Sequence, residues 1–378
     1  MARSILVSGA GIAGPALACR LGRTGFSVTV VERAPALRRG GQAVDFRGPV
    51  HMRVLREMGL FEALAERRTH MGALQFVDAR GRVVFTLPPS FAGGELEIER
   101  GDLVDVLFQK SRDSAEYVFG DSIASIAQDG GGVDVTFERE RPRRFDLVVG
   151  ADGLHSRVRA LAFGEERRYV RHHGHSVATF RMPNLLGLER RGLVYSEPGR
   201  AVVVSSTRNV EEAVVMLVFT PSNEPLRTRF TGMGWEVPRL LPYLDGASDL
   251  YTDTISRVDV DGLSRGRVVL LGDAGYGATI GGQGTGVAVV AAYVLAGELA
   301  READHARAFA RYEATIAGYA RGCQATARHM GPFFAPRSRA AIALRNAMYR
   351  ALTSRPLAGV FERMTASAAS DVTLPTYV

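Results

Sequence analysis

The sequence Gly9-Ala10-Gly11-Ile12-Ala13-Gly14 follows an apolar, β-prone run, Ser4-Ile5-Leu6-Val7-Ser8. It opens a segment in which Ala13, Leu17, Ala18 and Leu21 recur at helical spacing. The pattern predicts a strand, a tight turn and a helix. Gly9 suits the turn, Gly11 lets the main chain approach a pyrophosphate, and Gly14 lets helix and strand pack closely. The helix N-terminus adds unpaired N–H groups that face the negative charge. A second strand, Val28-Thr29-Val30-Val31, ends at Glu32, whose carboxylate can accept hydrogen bonds from adenosine ribose hydroxyls. Alone, GxGxxG is a weak signal; with these strands and an acid at this distance it predicts a dinucleotide site. A 2′-phosphate beside Glu32 would be repelled, which argues against NADP as the nucleotide held there.

At 378 residues the chain is long enough for two or three domains around a large core. Its formal net charge of +7 raises the question of a nucleic-acid partner. Lys110 is the only lysine, however, and the arginines are scattered and interrupted by acids, as in Glu138-Arg139-Glu140-Arg141. A solvated surface and no nucleic-acid partner are therefore expected. Cys19 and Cys323 stand without metal-ligand spacing and are expected as buried thiols in a reducing cytoplasm. Residues 5–18 resemble a secretory signal in apolarity, but cleavage there would remove the glycine fingerprint. Residues 285–300 are apolar yet short for a membrane span and include Glu298, so a buried helix and no membrane association are expected.

Further along, the pattern predicts a helix at 49–58, strands at 74–77 and 83–87, and a helix at 102–109. Strands follow at 122–126, 133–137 and 145–149. Runs at 177–180, 193–195, 201–206 and 213–219 suggest an antiparallel sheet. A buried strand returns at 267–271, and the chain is mainly helical from about 303. The predicted fold class is α/β: a Rossmann-like nucleotide-binding domain with an inserted, mostly antiparallel β-sheet substrate domain and a C-terminal helical segment. We divide it into a discontinuous nucleotide domain at 1–72, 100–175 and 260–300, a sheet domain at 73–99 and 176–259, and C-terminal helices at 301–378.

Two more stretches repeat the strand-to-loop-to-helix logic. In Asp146-Leu147-Val148-Val149-Gly150-Ala151-Asp152-Gly153-Leu154-His155-Ser156-Arg157-Val158-Arg159, a buried strand delivers an Asp-Gly turn into a helix. That places Asp152 at the carboxyl end of the strand, where ligands sit in open α/β sheets. Gly272-Asp273 and the glycines as far as Gly286 again link a buried strand to a long helix. Asp273 can accept hydrogen bonds from ribityl hydroxyls. The N–H groups around Gly282 and Gly284 lie at a helix N-terminus, where they can stabilise negative charge on a reduced isoalloxazine.

With these three stretches in place, nearly the whole chain resembles the class A, p-hydroxybenzoate hydroxylase-like flavoprotein monooxygenases, above all the small tetracycline- and polyketide-modifying hydroxylases. The shared motifs are GxGxxG, Glu32-Arg33, the DGxxSxVR pattern from Asp152 to Arg159, and Gly272-Asp273. Val44-Asp45-Phe46-Arg47-Gly48 resembles the segment whose acid contacts the flavin side, and Glu99-Arg100-Gly101-Asp102-Leu103 the one whose arginine reaches the ribityl-phosphate region. The resemblance implies FAD as cofactor, held by Gly9, Gly11, Gly14, Glu32, Arg33, Asp45, Arg100 and Asp273, with Asp152 and Arg159 in the interplay of FAD and NAD(P)H. It also implies NAD(P)H as co-substrate, and O2 forming a C4a-hydroperoxyflavin that hydroxylates an aromatic or polyketide-like small molecule. The chain departs from the pattern at Tyr276, where the family often has His. The usual proline is absent at Thr279-Ile280, and that loop reads as one residue short.

Such chemistry belongs to the cofactor, so no catalytic acid or base is required and none is assigned. Substrate contacts are expected from Thr179, Phe180, Arg181, Met216 and Val218, on a strand face that alternation alone does not determine. His51 and His155 are read as satisfied packing or surface residues, and His172, His173 and His175 as no metal site. Residues 340–364, with Ile342, Leu344, Ala347, Met348 and Leu352 at helical spacing, are read as a core- or oligomer-facing helix, in a monomer or homodimer. Two other readings share the fold: a flavin reductase or dehydrogenase without oxygen insertion, and a flavin-bearing ligand-sequestering protein. A flavin halogenase is disfavoured because Trp235 is the only tryptophan, and the Trp-x-Trp-x-Ile signature needs two.

Overall fold

The computed structural model describes residues 2–38, 40–89, 91, 94–206, 208–279, 284–354 and 373–377. The opening run pairs in parallel with its neighbours on both sides: Ser4–Ser8 lies between Ser27–Glu32 and Leu147–Gly150. Val268–Leu270 extends the sheet in parallel beyond Leu147–Gly150, and Ala115–Phe119 extends it beyond Ser27–Glu32. A short antiparallel edge, Ser264–Arg265, completes the six-stranded sheet. The inner strands Ser4–Ser8, Leu147–Gly150 and Val268–Leu270 are continuous apolar runs because helices or a second sheet cover both faces. Ala13–Leu21, Arg100–Ser111, Gly284–Arg301 and His305–Ala327 bury one face around Ile5, Val7, Val30, Val149 and Val290. The other face packs Leu6, Val148 and Leu270 against a three-stranded antiparallel sheet through Val133 and Val135.

The second large sheet has seven strands, in the order Tyr251–Val258, Val170–Pro183, Glu212–Phe219, Arg200–Ser205, Gly192–Glu197, Leu74–Val77 and Val83–Leu87. All its pairs are antiparallel except Gly192–Glu197 with Leu74–Val77. Alternation along each strand makes two separate cores. Ala178, Phe180, Val202, Val215 and Leu217 face Leu240 and Leu241 of helix Val237–Asp245, whereas Val177, Val203, Met216 and Val218 share the face that carries Phe334.

The structure moves several expected boundaries. The strand read at 145–149 is two strands in different sheets, Arg143–Phe145 and Leu147–Gly150. The break falls at Asp146, whose Oδ2 accepts from Ser4 N (2.7 Å) and from Ser4 Oγ (2.9 Å). The helix read at 102–109 spans Arg100–Ser111, so Arg100 belongs to its first turn. Short strands Ala43–Phe46 and Leu96–Glu99 pair with each other and had no sequence expectation. In the C-terminal region, helix Arg339–Leu352 exposes Leu344 and Met348 rather than burying them. Its inward side is Arg345, whose guanidinium lies 4.7 Å from the Phe76 ring, with Tyr349 and Leu352. Residues 355–364 of that expected helix lie outside the described residues. Helix Gly284–Arg301 is long and apolar enough to cross a membrane, yet 78% of it is buried inside the fold, as expected for a core helix.

Candidate functional site

The parallel register brings the three glycine-bearing loops to one end of the central sheet. Gly9 takes φ +107°, and a Cβ there would lie 2.5 Å from the Ala151 carbonyl oxygen, so the first turn rests directly on the second. A Cβ on Gly14 would lie 2.0 Å from the Gly9 oxygen, the close helix-on-turn contact that only glycine permits. Gly272, at φ +66°, would place a Cβ 3.0 Å from that of Ala13, which joins the third loop to the first helix.

Charged groups fasten these loops. Arg159 is fully buried; it donates to Leu154 O (2.6 Å), to Ala274 O (2.9 Å) and to Glu166 (3.3 Å). It therefore ties the second loop to the third, with its side chain fully covered among the described residues. Asp152 accepts from Ser156 Oγ (2.5 Å) and Val158 N (3.0 Å), capping the helix Arg157–Ala162 while burial raises its pKa. Tyr276 has a structural explanation as well. Its hydroxyl accepts from Gly272 N (2.9 Å), so it closes the third loop from beneath.

The open side of the loops carries the groups suited to a dinucleotide. Among the described residues a Cβ on Gly11 would meet only the Arg100 guanidinium, at 3.7 Å, so a cation flanks this turn. Arg100 Nη1 donates to Arg38 O (3.2 Å) and Gly40 O (3.3 Å), which aims the arginine across the turn. Glu32 accepts from Ala10 N (2.8 Å) and Ala34 N (2.9 Å), holding its carboxylate at the strand end, and Arg33 beside it is exposed. Asp273 is exposed to the cleft between protein walls, and desolvation holds its carboxyl up at about 6 despite Arg100. Its Oδ1 would be 3.6 Å from a Cβ on Gly284, at the start of the long helix. Gly282 lies outside the described residues. Asp45 pairs with Arg47, whose Nη2 also reaches Phe91 O (2.8 Å).

Beside this cleft lies a cavity of about 160 Å³. Gly41, Gln42, Glu97 and Glu99 line one side of it, and Arg181, Val203, Ser205 and Met216 of the large sheet line the other. Of the expected substrate contacts, Arg181 and Met216 line it. Register explains the pair: Thr179 is opposite Met216, so Arg181, two residues on, shares its face. Phe180 points to the opposite face and packs in the core with Leu240. Val218 is buried on the cavity side of the sheet but within its core. Gln42, Glu97 and Glu99 escaped sequence reasoning because two four-residue strands give too little alternation to recognise.

Most of the histidines singled out in the sequence have partners, whereas His173 Nε2 is buried without one among the described residues. His51 Nδ1 accepts from Arg47 N (2.8 Å) and its Nε2 meets Tyr319 Oη (2.5 Å), while burial pushes the imidazole down to about 4. His155 bridges Glu166 and Asp253 at the surface. His172 meets Ser256 Oγ and His175 meets Ala335 O. No cluster of metal-ligating side chains occurs among the described residues.

The family described as FAD binding domain matches residues 3–315. A flavin-dependent monooxygenase of Legionella longbeachae is 37% identical over 333 residues, covering 83% of this chain and 85% of that protein. The chain belongs to the FAD-binding flavoprotein monooxygenases. An uncharacterized protein of Mycobacterium tuberculosis is 42% identical over 337 residues, covering 84% of this chain and 90% of its own. The crystal structure of tetracycline destructase Tet(51) superposes with a TM-score of 0.83 at 32% identity, covering all of both chains. The family resemblance and the α/β class read from the motifs therefore hold, and this member is an oxidoreductase whose cofactor is FAD. The cleft fits that cofactor: a glycine turn beside Arg100 suits a pyrophosphate, and carboxylates at Glu32 and Asp273 suit ribose and ribityl hydroxyls.

Proposed function

We propose that this monooxygenase hydroxylates an aromatic or polyketide-like small molecule in the cavity bounded by Glu97, Arg181 and Met216, using NAD(P)H as reductant and O2 as co-substrate. The observation that carries the reading is the contact of cavity and nucleotide cleft at one residue. Gly41 lines the cavity, and a Cβ on it would lie 2.9 Å from Arg100 Cδ, the arginine that flanks the Gly11 turn. When bound, FAD supplies the redox chemistry, accepting hydride from NAD(P)H and activating dioxygen for transfer of one oxygen atom. The chain supplies position. Gly11 and Arg100 hold the pyrophosphate, Glu32 the adenosine ribose and Asp273 the ribityl chain. The helix Gly284–Arg301 would offer the positive end of its dipole to negative charge on the reduced ring. Apolar Met71, Val203, Val214 and Met216 exclude water from the reacting face.

In this reading residues 1–72, 100–175 and 260–300 form the FAD domain and 73–99 with 176–259 the substrate domain. The protein works in the cytoplasm as a monomer or homodimer, and Cys19 and Cys323 stay as free thiols. The test is anaerobic reduction by NAD(P)H, then mixing with ¹⁸O₂ and candidate phenols. Incorporation of labelled oxygen into product is expected. Ligand-stimulated NAD(P)H oxidation without incorporation would make the protein a reductase. Ligand binding with no stimulation would make it a sequestering protein.

A further inference from the structure

The cavity has a charge asymmetry that oxygen transfer alone does not require. Glu97 and Glu99 line it, and Arg181 is the one basic side chain lining it among the described residues. Arg181 is already committed, with Nη2 donating to Glu99 (3.0 Å) and Nη1 to Glu212 (3.2 Å). An anionic substrate would therefore meet Glu97 and Glu99 beside an arginine whose charge is already shared between Glu99 and Glu212. Glu97 differs from Glu99 in its partners. Only 9% exposed, it accepts at Oε2 from the Thr69 hydroxyl, and Thr69 Oγ1 in turn accepts from Met71 N (3.4 Å). Its other oxygen, Oε1, has no hydrogen-bond partner among the described residues, and Glu97 lines the cavity.

We propose that Glu97 recognises the substrate by accepting a hydrogen bond from an uncharged hydroxyl or N–H donor on its ring system, and that the cavity rejects aromatic carboxylates. The inference rests on the hydroxylation reading only in taking this cavity as the substrate site. An acceptor that loses its water to a bound ligand must be met by a donor on that ligand or remain unsatisfied, so the site discriminates against a ligand lacking the donor. The groups facing Glu97 come from three directions. Asp45 sits opposite in the two-stranded register with Arg47 paired to it. Glu99 lies on the same strand with Arg181 against it, and Thr69 approaches from the preceding loop. Burial raises the Glu97 carboxyl to about 7, with Thr69 opposing the rise and Asp45 adding to it. As pH rises through this range Glu97 becomes a full acceptor, so donor ligands gain affinity and anionic ligands lose it.

The experiment titrates FAD-loaded protein with 2-naphthol and 2-naphthoate, which share a ring system and differ in the polar group, and reads binding by flavin absorbance and calorimetry. The naphthol is expected to bind at least about tenfold more tightly at pH 8. Between about pH 6 and 8 the two affinities should move in opposite directions. Glu97→Gln should flatten both profiles and weaken naphthol binding by about tenfold. Thr69→Val, which removes the donor and keeps the carboxylate, should move the inflection to higher pH and covers the case in which the first variant fails to fold. Equal or tighter binding of the naphthoate, absence of naphthol binding, or an inflection unmoved by both substitutions would overturn the inference. Oxygen incorporation is scored separately. Naphthol binding with the expected profile but no labelled product defeats the hydroxylation reading alone, and labelled product with no charge discrimination defeats this one alone.

Discussion

Arg159 and His51 show how single buried polar residues hold the cleft. Replacing Arg159 with Met keeps its bulk but leaves the Leu154 and Ala274 carbonyls without their donor. Each buried acceptor left unpaired costs about 1–3 kcal/mol, offset in part by no longer burying a guanidinium. A net loss of about 2–4 kcal/mol is expected in urea unfolding of the FAD-free protein, together with weaker FAD binding. An unchanged midpoint would mean that Arg159 does not fasten the second loop to the third. His51 governs acid stability. Its Nδ1 accepts from the Arg47 amide, so Nε2 carries the proton toward Tyr319, and burial holds the folded pKa at about 4, below the ordinary value of 6.5. The unfolded chain takes up a proton below 6.5 that the folded chain refuses. The stability tied to neutral His51 is therefore full above 6.5 and declines as pH falls toward 4, by roughly 3 kcal/mol. Glu97 and Asp273, both raised, act in the opposite sense over the upper part of that window. The His51→Asn difference curve isolates the histidine: the variant's unfolding free energy should fall less steeply between about pH 6.5 and 4.

At the scale of elements, legibility followed length and burial. The five-residue run Ser4–Ser8 and the glycine turn after it were readable because sequential strand, turn and helix share one local signature, and so was the buried helix at 285–300. The edge strand Ala115–Phe119 was not, because its half-buried residues lack an alternation of their own and it forms only by adding to Ser27–Glu32. The pair Ala43–Phe46 and Leu96–Glu99 was missed for a similar reason: fifty residues separate two short strands whose pairing is tertiary. Since that pair carries Glu97 and Glu99, the glycine turns were legible and half the cavity was not. Phe180 was misplaced because alternation predicts two faces but not which one lines the cavity. The helix Gly284–Arg301 offers the test at this scale. A Cβ on Gly286 would lie 2.3 Å from the His51 ring, so Gly286→Ala must push the first turn away from its seat. A loss of about 1–3 kcal/mol in thermal or chemical unfolding is expected. FAD affinity should fall with it, because that turn also faces Asp273; equilibrium dialysis against free FAD would reveal affinity retained.

At the scale of the molecule, the proposed cofactor site is spread over positions far apart in the chain: the turn at Gly9–Gly14, Arg100, and Gly272 with Asp273. Their approach is organised by parallel strand order, with Leu147–Gly150 lying between Ser4–Ser8 and Val268–Leu270. The C-terminal residues join the same body, since Arg20 Nη2 donates to Tyr377 O (3.1 Å) and Tyr377 Oη to Glu298 (2.7 Å). A ligand that touches all of these segments finds them together only in the folded arrangement and therefore stabilises that arrangement by mass action. At a free FAD concentration one hundred times its dissociation constant the gain is about 2.7 kcal/mol, and each further tenfold adds about 1.4 kcal/mol. Scanning calorimetry should then show one transition that moves upward by several degrees and climbs with the logarithm of FAD concentration. In Arg159→Met the same titration should start lower and require more FAD for an equal rise, because part of the binding free energy must first close the second and third loops together. Two transitions, of which only the lower responds to FAD, would mean that the central sheet and the seven-stranded sheet unfold separately, and that the cofactor secures one of them without the other.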